Sequence, residues 1–190
     1  MENLYNLIMG IVGNASVLGV IITSFLIIFE SIIPPLPLGV FITVLFINYG
    51  NIIGFFMSYI LTLIGCSLSY FIFSKYVKKK TDKYLRKYKK IDKYISLVDN
   101  IKFSTLVLIL SIPFTPAFLV NIACGISKMS YKKFLYSIIL GKISLVLFYG
   151  FIGTSLVESI KRPKILIFVI ITTLLFYIFS KVINRKLKID

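Results

Sequence analysis

Between Leu7 and Phe73 the chain carries a single Asp, Glu, Lys or Arg, and that residue is Glu30. It stands in Phe29-Glu30-Ser31-Ile32-Ile33-Pro34-Pro35-Leu36-Pro37-Leu38-Gly39, which also places three prolines inside the apolar run. An ionisable side chain at membrane depth costs roughly 2.5–3.5 kcal/mol on insertion scales. Proline lacks the N–H that a helix needs and clashes with the preceding turn. Broken backbone at membrane depth survives only where protein or a water-filled cavity satisfies it. The stretch therefore predicts a polar, functional spot inside a membrane domain.

The rest of the composition agrees. The 190 residues are 58% hydrophobic, with a mean hydropathy of +0.94, as expected of one integral membrane domain. Met1-Glu2-Asn3 lacks the basic start of a cleavable signal, and the first apolar run is too long for one, so it is expected to stay as a transmembrane helix. The net charge of +15 is clustered beside apolar spans. That pattern fits topology and anionic headgroups rather than nucleic acid. Cys66 and Cys124 lie in apolar segments and there is no His. No metal site and no cofactor is expected, and the cysteines are read as small packing residues.

The apolar segments fall at 7–29, 31–47, 52–74, 104–127, 134–157 and 165–180. Asn48-Tyr49-Gly50-Asn51 reads as a turn. Small residues at Gly54, Ser58, Gly65, Ser67 and Ser69 suit close helix packing. Residues 75–102 hold eleven Lys or Arg against three Asp. With Tyr84, Tyr88, Ile91, Ile95 and Val98 at steps of four and three, they form either an amphipathic helix for an anionic surface or a solvated linker. A basic tail follows at 181–190.

Charge placement separates two topologies. If 31–47 and 104–127, both broken by prolines, return to the side they entered from, the inside carries eleven, three and four Lys or Arg, and the outside three. If 104–127 crosses, the inside keeps eleven and three and the outside rises to three and four. Positive-inside bias favours the first. The expected fold is thus an all-α integral membrane protein, with transmembrane helices and two opposed proline-broken re-entrant hairpins. The shared pattern of Ile33-Pro34-Pro35-Leu36-Pro37 and Ile112-Pro113-Phe114-Thr115-Pro116 resembles the opposed broken segments of inverted-repeat transporters.

Phe29-Glu30 followed by Pro34, Pro35, Pro37 and Gly39 resembles the first motif of the DedA family, within the VTT-domain (SNARE-associated Golgi protein) superfamily. Pro113 and Pro116, with Val120-Asn121-Ile122-Ala123-Cys124-Gly125, Ser127, Met129 and Phe134, are similar to its second hairpin. The resemblance runs from about residue 20 to 156 and implies two opposed hairpins that move lipid between leaflets. The implied cargo is a phospholipid or a carrier such as undecaprenyl phosphate, in bacteria often driven by the proton motive force. One departure matters. The family usually has Arg three residues before the second hairpin's first proline, where this chain has Leu110, and no Arg occurs between Arg86 and Arg162.

The residues then suggest the chemistry. Burial disfavours the charged form of Glu30, so it could load and release a proton, or simply hydrogen-bond broken backbone. Lys142, deep in 134–157, is the candidate partner of Glu30 or of a lipid phosphate, and a candidate substitute for the missing arginine. Ser31, Ser111, Thr115 and Asn121 are candidates to line a groove or to satisfy hairpin backbone. With no His and one intramembrane carboxylate, an enzyme is not expected. The expected function is a flippase or scramblase in a bacterial plasma membrane. A membrane scaffold acting through 75–102 is the alternative, and homo-oligomerisation is left open.

Overall fold

A computed structural model describes residues 17–33, 36–77, 98–115, 117–160 and 162–186, and no strand occurs among them. The helices are α1 (Val17–Glu30), α2 (Leu38–Ile72), α3 (Phe103–Ser111), α4 (Ala117–Ile126), α5 (Tyr131–Ser159) and α6 (Pro163–Lys186). A short π-helical turn, Phe73–Val77, extends α2. The 78–97 part of the basic segment and the end of the basic tail lie outside the described residues.

Three helices are long and apolar enough to cross a membrane: the α2 stretch, α5 and most of α6. The first is not a single rod. Gly50 has φ 74° and ψ 176°, a conformation essentially reserved for glycine. Beyond it the chain doubles back, since a Cβ on Gly54 would sit 2.7 Å from Phe46 Cα and 2.8 Å from the Leu45 carbonyl. The expected turn at 48–51 is therefore centred on Gly50, between a limb at 38–49 and a limb at 51–72. Proline-rich sequence precedes the first limb, and Pro37 supplies the residue before α2.

The second proline motif also reverses the chain. α3 has nine residues and α4 ten, about 14 and 15 Å of helix, half of a ~30 Å hydrocarbon core. Their outer ends meet. The Lys128 N–H donates to Asp99 Oδ1 at 3.0 Å, and Lys133 Nζ donates to the Ile101 carbonyl at 2.6 Å. Tyr70 at the end of α2 donates to the Met129 carbonyl at 2.7 Å and stacks on Phe134. The ends of α2, α3 and α4 and the start of α5 thus share one end of the bundle.

α5 is the central element and packs against α2, α3 and α6. Ser130 caps it, accepting from the Lys133 N–H. Its glycines permit close approach: a Cβ on Gly150 would run into the Phe46 ring, and one on Gly153 into Thr43. Two apolar clusters result. One gathers Cys66, Leu106, Leu110, Cys124, Phe134 and Ile138; the other gathers Val20, Ile27, Ile42, Phe46, Leu145 and Val146. The outer faces stay apolar, as membrane packing requires; Leu18, Ile52, Phe56, Ile167 and Phe168 are all more than half exposed. Hydroxyls are absorbed locally by donation to the carbonyl one turn back, at Thr43, Thr62, Ser111 and Ser137.

Candidate functional site

Lys142 lies where the two clusters meet, between Ile138 and Leu145 on α5. It stands about 16 Å along the helix from Tyr131 at ~1.5 Å per residue, near mid-membrane depth. The side chain is 1% exposed. Such a charge needs partners or a hydrated cavity. The cavity is present: a cleft of about 1050 Å³ is lined by Lys142 and Glu30, with walls from the 38–49 limb, the Phe114–Thr115 tip, α5 and α6.

Glu30 ends α1, immediately before the first proline motif, and is half-buried at the cleft wall. It lies in the electrostatic field of Lys142. No direct ion pair joins them; the ion pair found among the described residues is the exposed Glu158–Arg162 contact at 3.9 Å. The two side chains line one cleft without a direct ion pair between them.

The two proline motifs shape the cleft. Pro37 and Gly39 line it, and Gly39 lies under the Tyr149 ring, where a Cβ would approach Cδ1 to 2.9 Å. Pro113 is fully buried. Phe114 has φ 65°, a left-handed conformation costly for a bulky residue. Its ring projects, 45% exposed, edge-to-face with Phe148 and Tyr177. Tyr149 lines the same cleft. Thr115 Oγ1 is buried with no hydrogen-bond partner. Pro34, Pro35 and Pro116 lie outside the described residues.

Asn121 is placed elsewhere. It is 1% exposed, donates to Cys66 Sγ at 3.4 Å, and keeps its Oδ1 without a partner. Ser31 meets the same sulfur at 3.6 Å. Asn121, a candidate either to line a groove or to satisfy hairpin backbone, here ties α4 to α2, and Ser31 ties the segment after α1 to the same point. Ser111 bonds back to Val107. Of the four candidates to line a groove or satisfy hairpin backbone, Thr115 is the one that lines the cleft, with its hydroxyl buried. Gly125 serves packing, since a Cβ there would meet the Tyr70 carbonyl at 2.8 Å. Both cysteines are fully buried, as expected of packing residues.

Sequence reasoning missed Phe114, Tyr149 and Tyr177. Tyr149 was reachable, because it lies seven residues after Lys142 and so shares its face of a helix. Positive φ at Phe114 and the approach of α6 have no local sequence signal.

A VTT domain model matches residues 33–155. A Bacillus subtilis (strain 168) protein described as the uncharacterized membrane protein YhjE is 30% identical over 165 residues, covering 86% of this chain and 80% of that protein. No solved structure matches the chain. The match spans both proline motifs, Glu30 lies just before it, and Lys142 lies within it: the chain is a membrane protein of the VTT-domain, DedA family.

Proposed function

We propose that this protein moves lipid between the leaflets of a bacterial plasma membrane, with the headgroup passing through the cleft while the tails remain in hydrocarbon. The observation that carries the reading is the open cleft of about 1050 Å³ with a fully buried cation and a carboxylate on its walls. A headgroup crossing hydrocarbon is a buried charge without a partner, and a polar, hydrated path lowers that cost. The cargo class is a phospholipid or a polyprenyl phosphate such as undecaprenyl phosphate, and the protein acts as a transporter rather than an enzyme.

In this reading the segments 31–47 and 104–127 are two opposed re-entrant hairpins, with Pro37 and the Phe114–Thr115 turn at the cleft. The half-length α3 and α4 and the meeting of their outer ends support the second hairpin. The reversal at Gly50 supports the first. Lys142 takes over the positive charge of the family arginine. Leu110, which occupies that arginine's position, packs against Gly141, one residue from Lys142; a Cβ on Gly141 would meet Leu110 Cβ at 2.8 Å.

Reconstitution into liposomes with fluorescent phospholipids, with and without a pH gradient, tests the reading. Gradient-dependent movement lost in Glu30→Gln supports proton-coupled transport through Glu30. Movement that ignores the gradient and survives Glu30→Gln supports passive scrambling with Glu30 structural. No movement of phospholipid or of undecaprenyl phosphate by the wild type contradicts the transporter reading.

A further inference from the structure

Away from the cleft, α2 and α5 turn matching faces outward. On α2, Ile64, Leu68 and Phe71 are exposed and follow one another at steps of four and three, so they share one helix face. On α5, Tyr136, Leu140 and Ile143 are exposed at the same spacing. The two helices lie side by side. The Phe71 and Tyr131 ring centroids are 4.5 Å apart, and Tyr59 donates to the Ile139 carbonyl at 2.6 Å. Their opposite faces, with Cys66 and Phe134, back onto one cluster that α3 and α4 complete with Leu106 and Cys124. Both apolar faces therefore look out on the same side of the bundle.

Each face is headed by a lysine. Lys75 stands one turn beyond Phe71, in the π-helical turn that extends α2, and Lys132 stands one turn before Tyr136. Both are exposed, and the Phe71–Tyr131 ring pair lies at their level. Ten residues separate Lys132 from Lys142, about 15 Å of helix, which puts Lys132 at the edge of a ~30 Å hydrocarbon core. Tyr131 and Tyr136 suit that depth, where tyrosine gathers at membrane interfaces. The charge there is unopposed within the two helices. α2 contains no Asp or Glu, and α5 carries its one carboxylate, Glu158, at the far end beside Arg162.

We infer that this outer face of α2 and α5 holds a resident anionic phospholipid of the adjoining leaflet, with its phosphate at Lys75 and Lys132 and its acyl chains along the two apolar tracks. Lysine ammonium groups donate to phosphate, and basic residues at a membrane surface favour anionic lipid. A zwitterionic lipid brings its own ammonium to the same lysines. A second copy of the chain fits less well, because a two-fold axis along the membrane normal would bring the same lysines together. The lipid sits outside the cleft and is not cargo, so the site is independent of the transporter reading.

The probe is dioleoylphosphatidylglycerol, competed against equimolar dioleoylphosphatidylcholine for the full chain in neutral detergent and read by native mass spectrometry. Wild type is expected to retain phosphatidylglycerol in preference. Lys75→Gln and Lys132→Gln should each lower that preference roughly 5-fold, as for one basic residue lost at a membrane surface. Lys75→Arg and Lys132→Arg should keep it. Lys128→Gln should leave it unchanged, since Lys128 follows α4 on the inner side of α2; so should Lys142→Met in the cleft. Equal retention of the two lipids by wild type overturns the site. So does an undiminished preference in a Lys75→Gln, Lys132→Gln double variant that melts like wild type. A preference that falls as far in Lys128→Gln means diffuse attraction to the basic end, and one lost only in Lys142→Met moves the lipid into the cleft; either result refutes the site.

Discussion

Lys142 is where structure and activity make opposite demands. A buried ammonium without a contact partner destabilises a packed helix, and replacing such a charge with an apolar side chain of similar size is often neutral or stabilising, by about 1–4 kcal/mol. Lys142→Met is therefore expected to melt no lower than wild type, measured by size-exclusion fluorescence after heating, while losing lipid movement. Lower melting together with retained movement would make Lys142 a structural residue. Lys142 and Glu30 were legible because a charge in an apolar run stands out in sequence alone. Asn121 was legible only as a polar residue in a broken segment. Its true partner, Cys66 at 3.4 Å, is 55 positions away and leaves no mark in the local sequence.

Among the elements, the reversal at Gly50 and its tight packing at Gly54 decide how α2 occupies the membrane. Gly50→Ala is expected to cost about 1–3 kcal/mol from backbone conformation alone, because a Cβ there would touch nothing within 4 Å. Gly54→Val should cost a similar ~1–3 kcal/mol for a different reason, overpacking against the backbone of Leu45 and Phe46. Both losses would appear as lowered melting temperature in detergent, and an unchanged melting temperature in both variants would refute the folded-back limbs. The Asn-Tyr-Gly-Asn turn and the proline breaks were readable because glycine and proline act through local backbone geometry. The approach of α6 to the cleft was not. α6 is apolar all round and little buried, so its sequence says that it meets lipid and not which neighbour it meets.

For the whole molecule, the fold gathers exposed basic residues at one end of the bundle. Lys75, Lys102, Lys128 and Lys132 are exposed, and the contacts at Tyr70, Asp99 and Ile101 gather their segments at one end of the bundle. Positive-inside bias predicts that this end faces the cytoplasm. Cysteines introduced at Lys102 and Lys128 should both react with a membrane-impermeant maleimide from the cytoplasmic side only, and one at Lys164 from the opposite side. The native cysteines are fully buried and should stay silent. Labelling of Lys102→Cys and Lys128→Cys from opposite sides would mean that 103–126 crosses the membrane. The basic charge runs predict the side; the folding back of α3 and α4 came from contacts that no single segment encodes.

The central claim is that a headgroup passes Lys142 within the cleft. It is tested most directly by fluorescent-lipid movement in liposomes holding equal amounts of wild type, Lys142→Arg and Lys142→Met. Movement kept by Lys142→Arg and lost in a well-folded Lys142→Met is the predicted result. Full movement in Lys142→Met would contradict the account, because the headgroup would then cross without the one cation the described cleft provides.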